Sequence, residues 1–329
     1  MGIGMVAWII TLVGVDRVRA ESSALSASLR SHVEYLASEA MKGREAGTPE
    51  ERKAAEYLAK HFQEAGLQPL GDGNTFFQAF ETPKRLGPNR VHPKGVDTPE
   101  TQRHSQNVVG WMEGSDNSEK KECYVVIGAH LDHVGFGRIT TRGGPQAVGV
   151  WHPGATDNAS GVACMIEALK AIAGLPKEKR PRWNLLWVGF GAEEWHLVGS
   201  KHYAKHPAKP FNKAVGMVNL AEMARGEGSA VLYTNETQSA EMFARQANAP
   251  PMKARLKVKP SKLDRSDAGP FTTVGNYISC YWVTGRGSGF PDYHKPSDTV
   301  DKIDFEELAE LSQFAERFIL AVANQENQE

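Results

Sequence analysis

The stretch Cys123-Tyr124-Val125-Val126-Ile127-Gly128-Ala129-His130-Leu131-Asp132-His133 decides how this chain folds. Its first six residues form a continuous apolar run, which predicts a strand buried on both faces. Polar chemistry begins where the run ends. His130 and Asp132 are two apart, so on an extended backbone they share a face. A carboxylate beside an imidazole is the arrangement that fixes the tautomer of a metal-ligating histidine.

Upstream, Leu25 to Leu36 has helical spacing, and Gly43-Arg44-Glu45-Ala46-Gly47 is rich in turn residues. Thr48-Pro49-Glu50-Glu51 then opens a helix: Thr48 caps, Pro49 suits the first position and Glu51 completes a capping box. Ala54, Leu58, Phe62 and Ala65 make its apolar stripe, and Gly66 stops it. Residues 83–105 read as a surface loop. Downstream come a helix from Ser160 to Ala173 and buried strands at Trp183–Phe190, Val215–Leu220 and Tyr277–Val283. A last helix starts at Asp304, with Glu307 as capping-box partner, and runs to Ala323. Strands alternating with helices predict an α/β fold: a mainly parallel or mixed central sheet with helices on both faces. Residues 21–325 read as a single domain.

The chain has 329 residues, 40% of them hydrophobic, enough for one large core, and a formal net charge of −1. No global field draws it to nucleic acid or to an anionic membrane, and no run of Lys and Arg is interleaved with aromatics. Three cysteines, Cys123, Cys164 and Cys280, are too few and scattered for a disulfide framework or a Cys-based zinc site. Val6 to Val15 is an apolar run too short to span a bilayer, ending at Val18-Arg19-Ala20 with small residues where a signal peptidase reads. Residues 1–20 are therefore expected to be a signal peptide and the mature chain secreted or periplasmic, without membrane attachment.

Four segments place His, Asp and Glu at strand ends beside glycine. They are His130-Leu131-Asp132, Asp157-Asn158-Ala159-Ser160-Gly161, Glu193-Glu194, and Tyr293-His294-Lys295-Pro296-Ser297-Asp298-Thr299. Singly, each has a plain explanation as a cap or a solvated side chain. Together they lie where ligands gather in such sheets, at the carboxyl ends of strands.

These motifs, in this order, resemble the zinc aminopeptidases related to secreted bacterial leucyl aminopeptidases. Glutaminyl cyclase and the transferrin receptor ectodomain share that fold, the zinc-exopeptidase (phosphorylase/hydrolase-like) architecture. The likeness runs from about residue 28 to 320 and includes Gly43-Arg44 and Ser105-Gln106-Asn107-Val108-Val109-Gly110. It implies two zinc ions per chain bridged by Asp157, with Glu194 and His294 at one and His130 and a further carboxylate at the other. Glu193 would be the general base, and Asp132 and Asp298 would support the ligands. Peptide or protein N-termini would be the substrates.

The further carboxylate departs from the family pattern. Where the family reads Asn-Leu-Asp-Met, this chain has Asn219-Leu220-Ala221-Glu222-Met223. Either Glu222 fills the ligand position, helped by a bulge and its longer side chain, or Ala221 does. In the second case Glu222 turns into the helix layer and needs a partner such as Arg225. Ser266-Asp267-Ala268 and Trp195-His196 also depart, near the substrate pocket. A one-zinc cyclase of N-terminal glutamine and a non-catalytic binding protein are the competing readings; the Glu193-Glu194 pair and both histidines favour the two-metal peptidase.

Overall fold

The computed structural model describes residues 22–82, 103–116, 122–138, 140–210, 213–223, 228–273, 279–285 and 290–326. The leader, most of the 83–105 loop and Arg225 lie outside these residues. Helix α1 (22–36) leads through the turn at 43–47 into α2 (Pro49–Glu64). The Thr48 hydroxyl caps α2 by accepting from the Glu51 amide. Glu51 closes the box one residue early: its carboxylate accepts from the Gly47 amide rather than from Thr48.

Among the described residues nine strands make one sheet: β1 (Gln68–Pro69), β2 (Phe77–Glu81), β3 (His104–Met112), β4 (Tyr124–His130), β5 (Asn184–Phe190), β6 (Ala214–Leu220), β7 (Ser229–Thr234), β8 (Arg255–Pro260) and β9 (Ser279–Thr284). Between them lie α3 (Gly161–Ala173), α4 (Val198–Lys205) and α5 (Thr237–Ala247), and α6 (Phe305–Ala323) closes the fold. The central strands β5-β4-β6-β9 are all parallel. The flanks reverse: β3 pairs antiparallel with β5, and β7 with β9. The sheet is thus mixed around a parallel centre, as expected, and β2, β7 and β8 lie outside the expected strands. Strand β3 also begins inside the span read as loop.

Alternate residues of the central strands feed two cores. Val125, Ile127, Leu185, Trp187, Val218 and Leu220 pack with α2, α3, α5 and α6. Tyr124, Val126, Leu186, Val188, Phe190 and Met217 pack with Tyr203 of α4 and Phe271 on the opposite face. Burying an aliphatic side chain is worth about 1.5–3 kcal/mol, so this double coverage explains the unbroken apolar runs. From β4 the chain moves to β5 on one side and to β6 on the other. That reversal opens a crevice at the carboxyl end of β4, where His130 stands. Among the described residues no helix is long and apolar enough to cross a membrane.

Candidate metal centre

Three chain reversals aim the site side chains inward. Ala192, Glu222 and His294 have φ of +53°, +55° and +54°, a left-handed conformation uncommon for residues with a Cβ. Such residues persist only where neighbours hold them, and they cluster at functional sites.

The motif Asp157-Asn158-Ala159-Ser160-Gly161 supplies much of the hold. Asn158 Nδ2 donates to the carbonyls of His130 (3.3 Å) and Leu220 (3.1 Å), tying the ends of β4 and β6 together. Its Oδ1 accepts from the amides of Gly161 and Glu222, and Ser160 Oγ accepts from Met223. Gly161 must lack a Cβ, because one would lie 2.4 Å from the Leu220 carbonyl oxygen. Two carboxylates act alike on the turns that carry Glu194 and Asp157. Asp132 accepts from the amides of Glu193 and Glu194 (2.9 and 3.1 Å), and Asp298 from those of Thr156 and Asp157 (2.9 and 3.1 Å).

Arg44 has a part in the site that no local pattern in the sequence marks. Its buried guanidinium donates to the carbonyls of Leu36, Leu131, Pro153 and Gly154, joining α1 to the loops after β4 and before Asp157. Burial lowers it to about 10, against the pull of Asp157, Asp132, Asp298 and Glu194.

At the centre, the two oxygens of Asp157 face different imidazoles. Oδ1 lies 3.3 Å from His130 Nε2, and Oδ2 lies 3.3 Å from His294 Nε2. Glu194 Oε1 is 2.9 Å from His294 Nε2. His133, outside the expected ligand set, joins this second group: its Nδ1 is 3.3 Å from Glu194 Oε1 and 3.7 Å from Asp157 Oδ2. Its position three residues after His130 was the available signal. His130 Nδ1 faces the Asp132 backbone carbonyl at 3.2 Å, which can only accept, so a neutral ring holds its proton on Nδ1 and leaves the Nε2 lone pair for a metal ion.

Burial alone would lower the His294 imidazole, but Glu194 and Asp157 push it up to about 10. Burial likewise opposes ionisation of Glu194, yet the His294 charge takes it down to about 2. His130 is raised despite burial, chiefly by Glu193, whereas burial lowers His133. Asp157 Oδ2, Glu194 Oε1, His294 Nε2 and both His133 nitrogens are buried without a hydrogen-bond partner. Convergent unsatisfied nitrogen and carboxylate atoms with no sulfur among them fit a zinc ion.

A cavity of about 510 Å³ opens onto this centre, lined by His130, Asp157, Glu193, Ala221 and Glu222, with Tyr293 and Trp282 among its aromatic walls. Glu222 lines this cavity, and its backbone stands at the left-handed φ of +55°. Its amide is held by Asn158, and its carbonyl accepts from Thr284 Oγ1 and Gly285 N. Asp267 is buried nearby, its carboxyl pushed up to about 6 by burial.

The profile of peptidase family M28 matches residues 107–319. The chain belongs to peptidase family M28. Among M28-related sequences, aminopeptidase YwaD of Bacillus subtilis is 28% identical over 217 residues, 63% of this chain and 42% of that protein. A leucine aminopeptidase of Arthroderma benhamiae, named as probable, is 25% identical over 220 residues, 65% of this chain and 58% of that protein. The chain thus matches about half the length of these relatives. In fold it is similar to the aminopeptidase from Aneurinibacillus sp. strain AM-1, with a TM-score of 0.68 at 18% identity over 89% of this chain and 93% of that one. It is also similar to Porphyromonas gingivalis glutaminyl cyclase, with a TM-score of 0.64 at 16% identity over 89% and 96% of the two chains.

Proposed function

We propose that this M28 member is an exported zinc aminopeptidase that hydrolyses the N-terminal bond of peptides, with two zinc ions per chain. The observation that carries this is Asp157, whose two oxygens stand 3.3 Å from His130 Nε2 and 3.3 Å from His294 Nε2. A carboxylate set between two imidazoles is what a bridging ligand requires. His130, Asp157 and Glu222 would hold one ion, and Asp157, Glu194 and His294 the other. Zinc held there supplies Lewis acidity towards a water and a peptide carbonyl.

Glu193 lines the cavity and stands outside the cluster of His133, Asp157, Glu194 and His294, which suits it to carry protons. Burial raises its carboxyl well above the usual carboxylate range, and as general base it would take a proton from the attacking water. It would return that proton to the leaving amine. Asp132 holds Glu193 in place through the backbone, and Asp298 does the same for Asp157. The relatives' printed names favour an aminopeptidase over a cyclase, as does the intact Glu193-Glu194 pair.

Hydrolysis of a panel of aminoacyl-p-nitroanilides, with zinc analysis before and after chelation, tests the reading. The expected result is two zinc ions per chain, chelator-sensitive release from free N-termini and no release from N-acetylated analogues. Absence of zinc after supplementation, or cleavage of the blocked analogues, would overturn it.

A further inference from the structure

His133 has no place in the ligand set just given, yet it is 1% exposed and neither ring nitrogen has a hydrogen-bond partner. A buried imidazole in that condition carries a desolvation cost unless something else satisfies it. Its Nδ1 faces the same two oxygens, Glu194 Oε1 and Asp157 Oδ2, that His294 Nε2 faces. One donor atom from each of His133, Asp157, Glu194 and His294 lies within 4.8 Å of the other three. Donors about 2.0–2.1 Å from a tetrahedral zinc stand roughly 3.3 Å apart. The four recorded separations, 2.9, 3.3, 3.3 and 3.7 Å, bracket that spacing.

The ring has little freedom to serve elsewhere. The His133 amide donates to the Arg44 carbonyl at 3.2 Å. Gly154 presses on the ring so closely that a Cβ there would lie 2.6 Å from Cγ and Cδ2. Across the site the ring meets His294 edge-on, with centroids 5.6 Å apart.

We propose that His133 Nδ1 is a fourth protein donor to the ion held by Asp157, Glu194 and His294. This rests on the zinc reading above. Catalytic zinc sites keep three protein ligands and an open position, whereas four protein ligands make a closed, structural site. The two sites are therefore unequal. The one containing His133 retains its ion and fixes Asp157. The one containing His130 and Glu222 keeps the open position and loses its ion first.

X-ray absorption on the wild-type chain carrying one zinc equivalent tests this directly. Two imidazoles per zinc, from His133 and His294, are expected; one imidazole would overturn the inference. His133→Gln should weaken the tighter of two zinc sites by about 10–100-fold or more, by analogy with the cost of losing even a supporting group. An unchanged tight site in a folded variant would also overturn it, leaving the aminopeptidase reading intact. A wild-type chain that binds no zinc would sink both. If His133→Gln does not fold, the wild-type absorption measurement still decides.

Discussion

Asp132 reaches His130 through its backbone carbonyl, 3.2 Å from Nδ1, while its carboxylate stands 3.9 Å from the same atom. The carboxylate instead accepts two amides of the Glu193-Glu194 turn, so a single residue sets the imidazole tautomer and the placement of the adjacent carboxylates. Asp132 thus meets His130 twice, through its carbonyl as hydrogen-bond acceptor and through its carboxylate as an ion pair.

Asp132→Asn leaves that carbonyl in place but offers only one acceptor oxygen to two amides. Stability should fall by about 1.5–3 kcal/mol, the worth of one hydrogen bond to a charged group, and kcat should fall with it. Urea unfolding and steady-state kinetics check both, and wild-type values in each would contradict the assignment.

Glu193→Gln removes the proposed proton carrier without removing a ligand. Zinc content should stay at the wild-type level while kcat drops by about 10²–10⁴-fold. A variant with near wild-type kcat would place the base elsewhere.

Glu222→Ala should release one zinc equivalent, because the site at His130 would be left with two protein ligands, one short of the usual three. Retention of both ions with unchanged kcat would remove Glu222 from the ligand set. Elemental analysis after gel filtration decides.

Arg44→Met strips donors from four buried carbonyls that brace the loops bearing His130 and Asp157. A loss of about 3–5 kcal/mol is expected, as for breaking a buried charged network, together with weaker zinc retention. Thermal unfolding with and without added zinc measures both; an unshifted Tm would argue against the brace.

Away from the site, Glu167 accepts from Ser28 Oγ and Lys170 Nζ and pairs with His32. Burial opposes its ionisation, but the hydrogen bonds from His32, Lys170 and Ser28 take it down from 4.5 to about 2. A carboxyl with a depressed folded-state value stabilises above its unfolded value and loses that contribution as pH falls through the folded one. Glu167→Gln should thus cost about 1–2 kcal/mol at pH 7 once solvent screening of this partly exposed group is allowed for, with the gap to wild type closing between pH 4.5 and 2. A pH-independent difference in urea midpoint would show that packing, not charge, is responsible.

The sequence by itself determined the parallel centre of the sheet and most of the candidate site. Continuous apolar runs such as Val125-Val126-Ile127 can satisfy both faces only between two helix layers, and residues at the ends of such strands must meet at one edge. Tertiary structure alone decided where the side chains beyond those ends point. Glu222 lines the cavity at a φ of +55°, its amide held by Asn158 from another loop, and nothing in Leu220-Ala221-Glu222-Met223 encodes that turn. His133 joins Glu194 and His294, and Arg44 joins Leu131 to Gly154, through contacts 61 or more residues apart for the first pair and 110 for the last. Local periodicity reports which face of an element is buried, but the partner across a buried contact is set by how the elements pack.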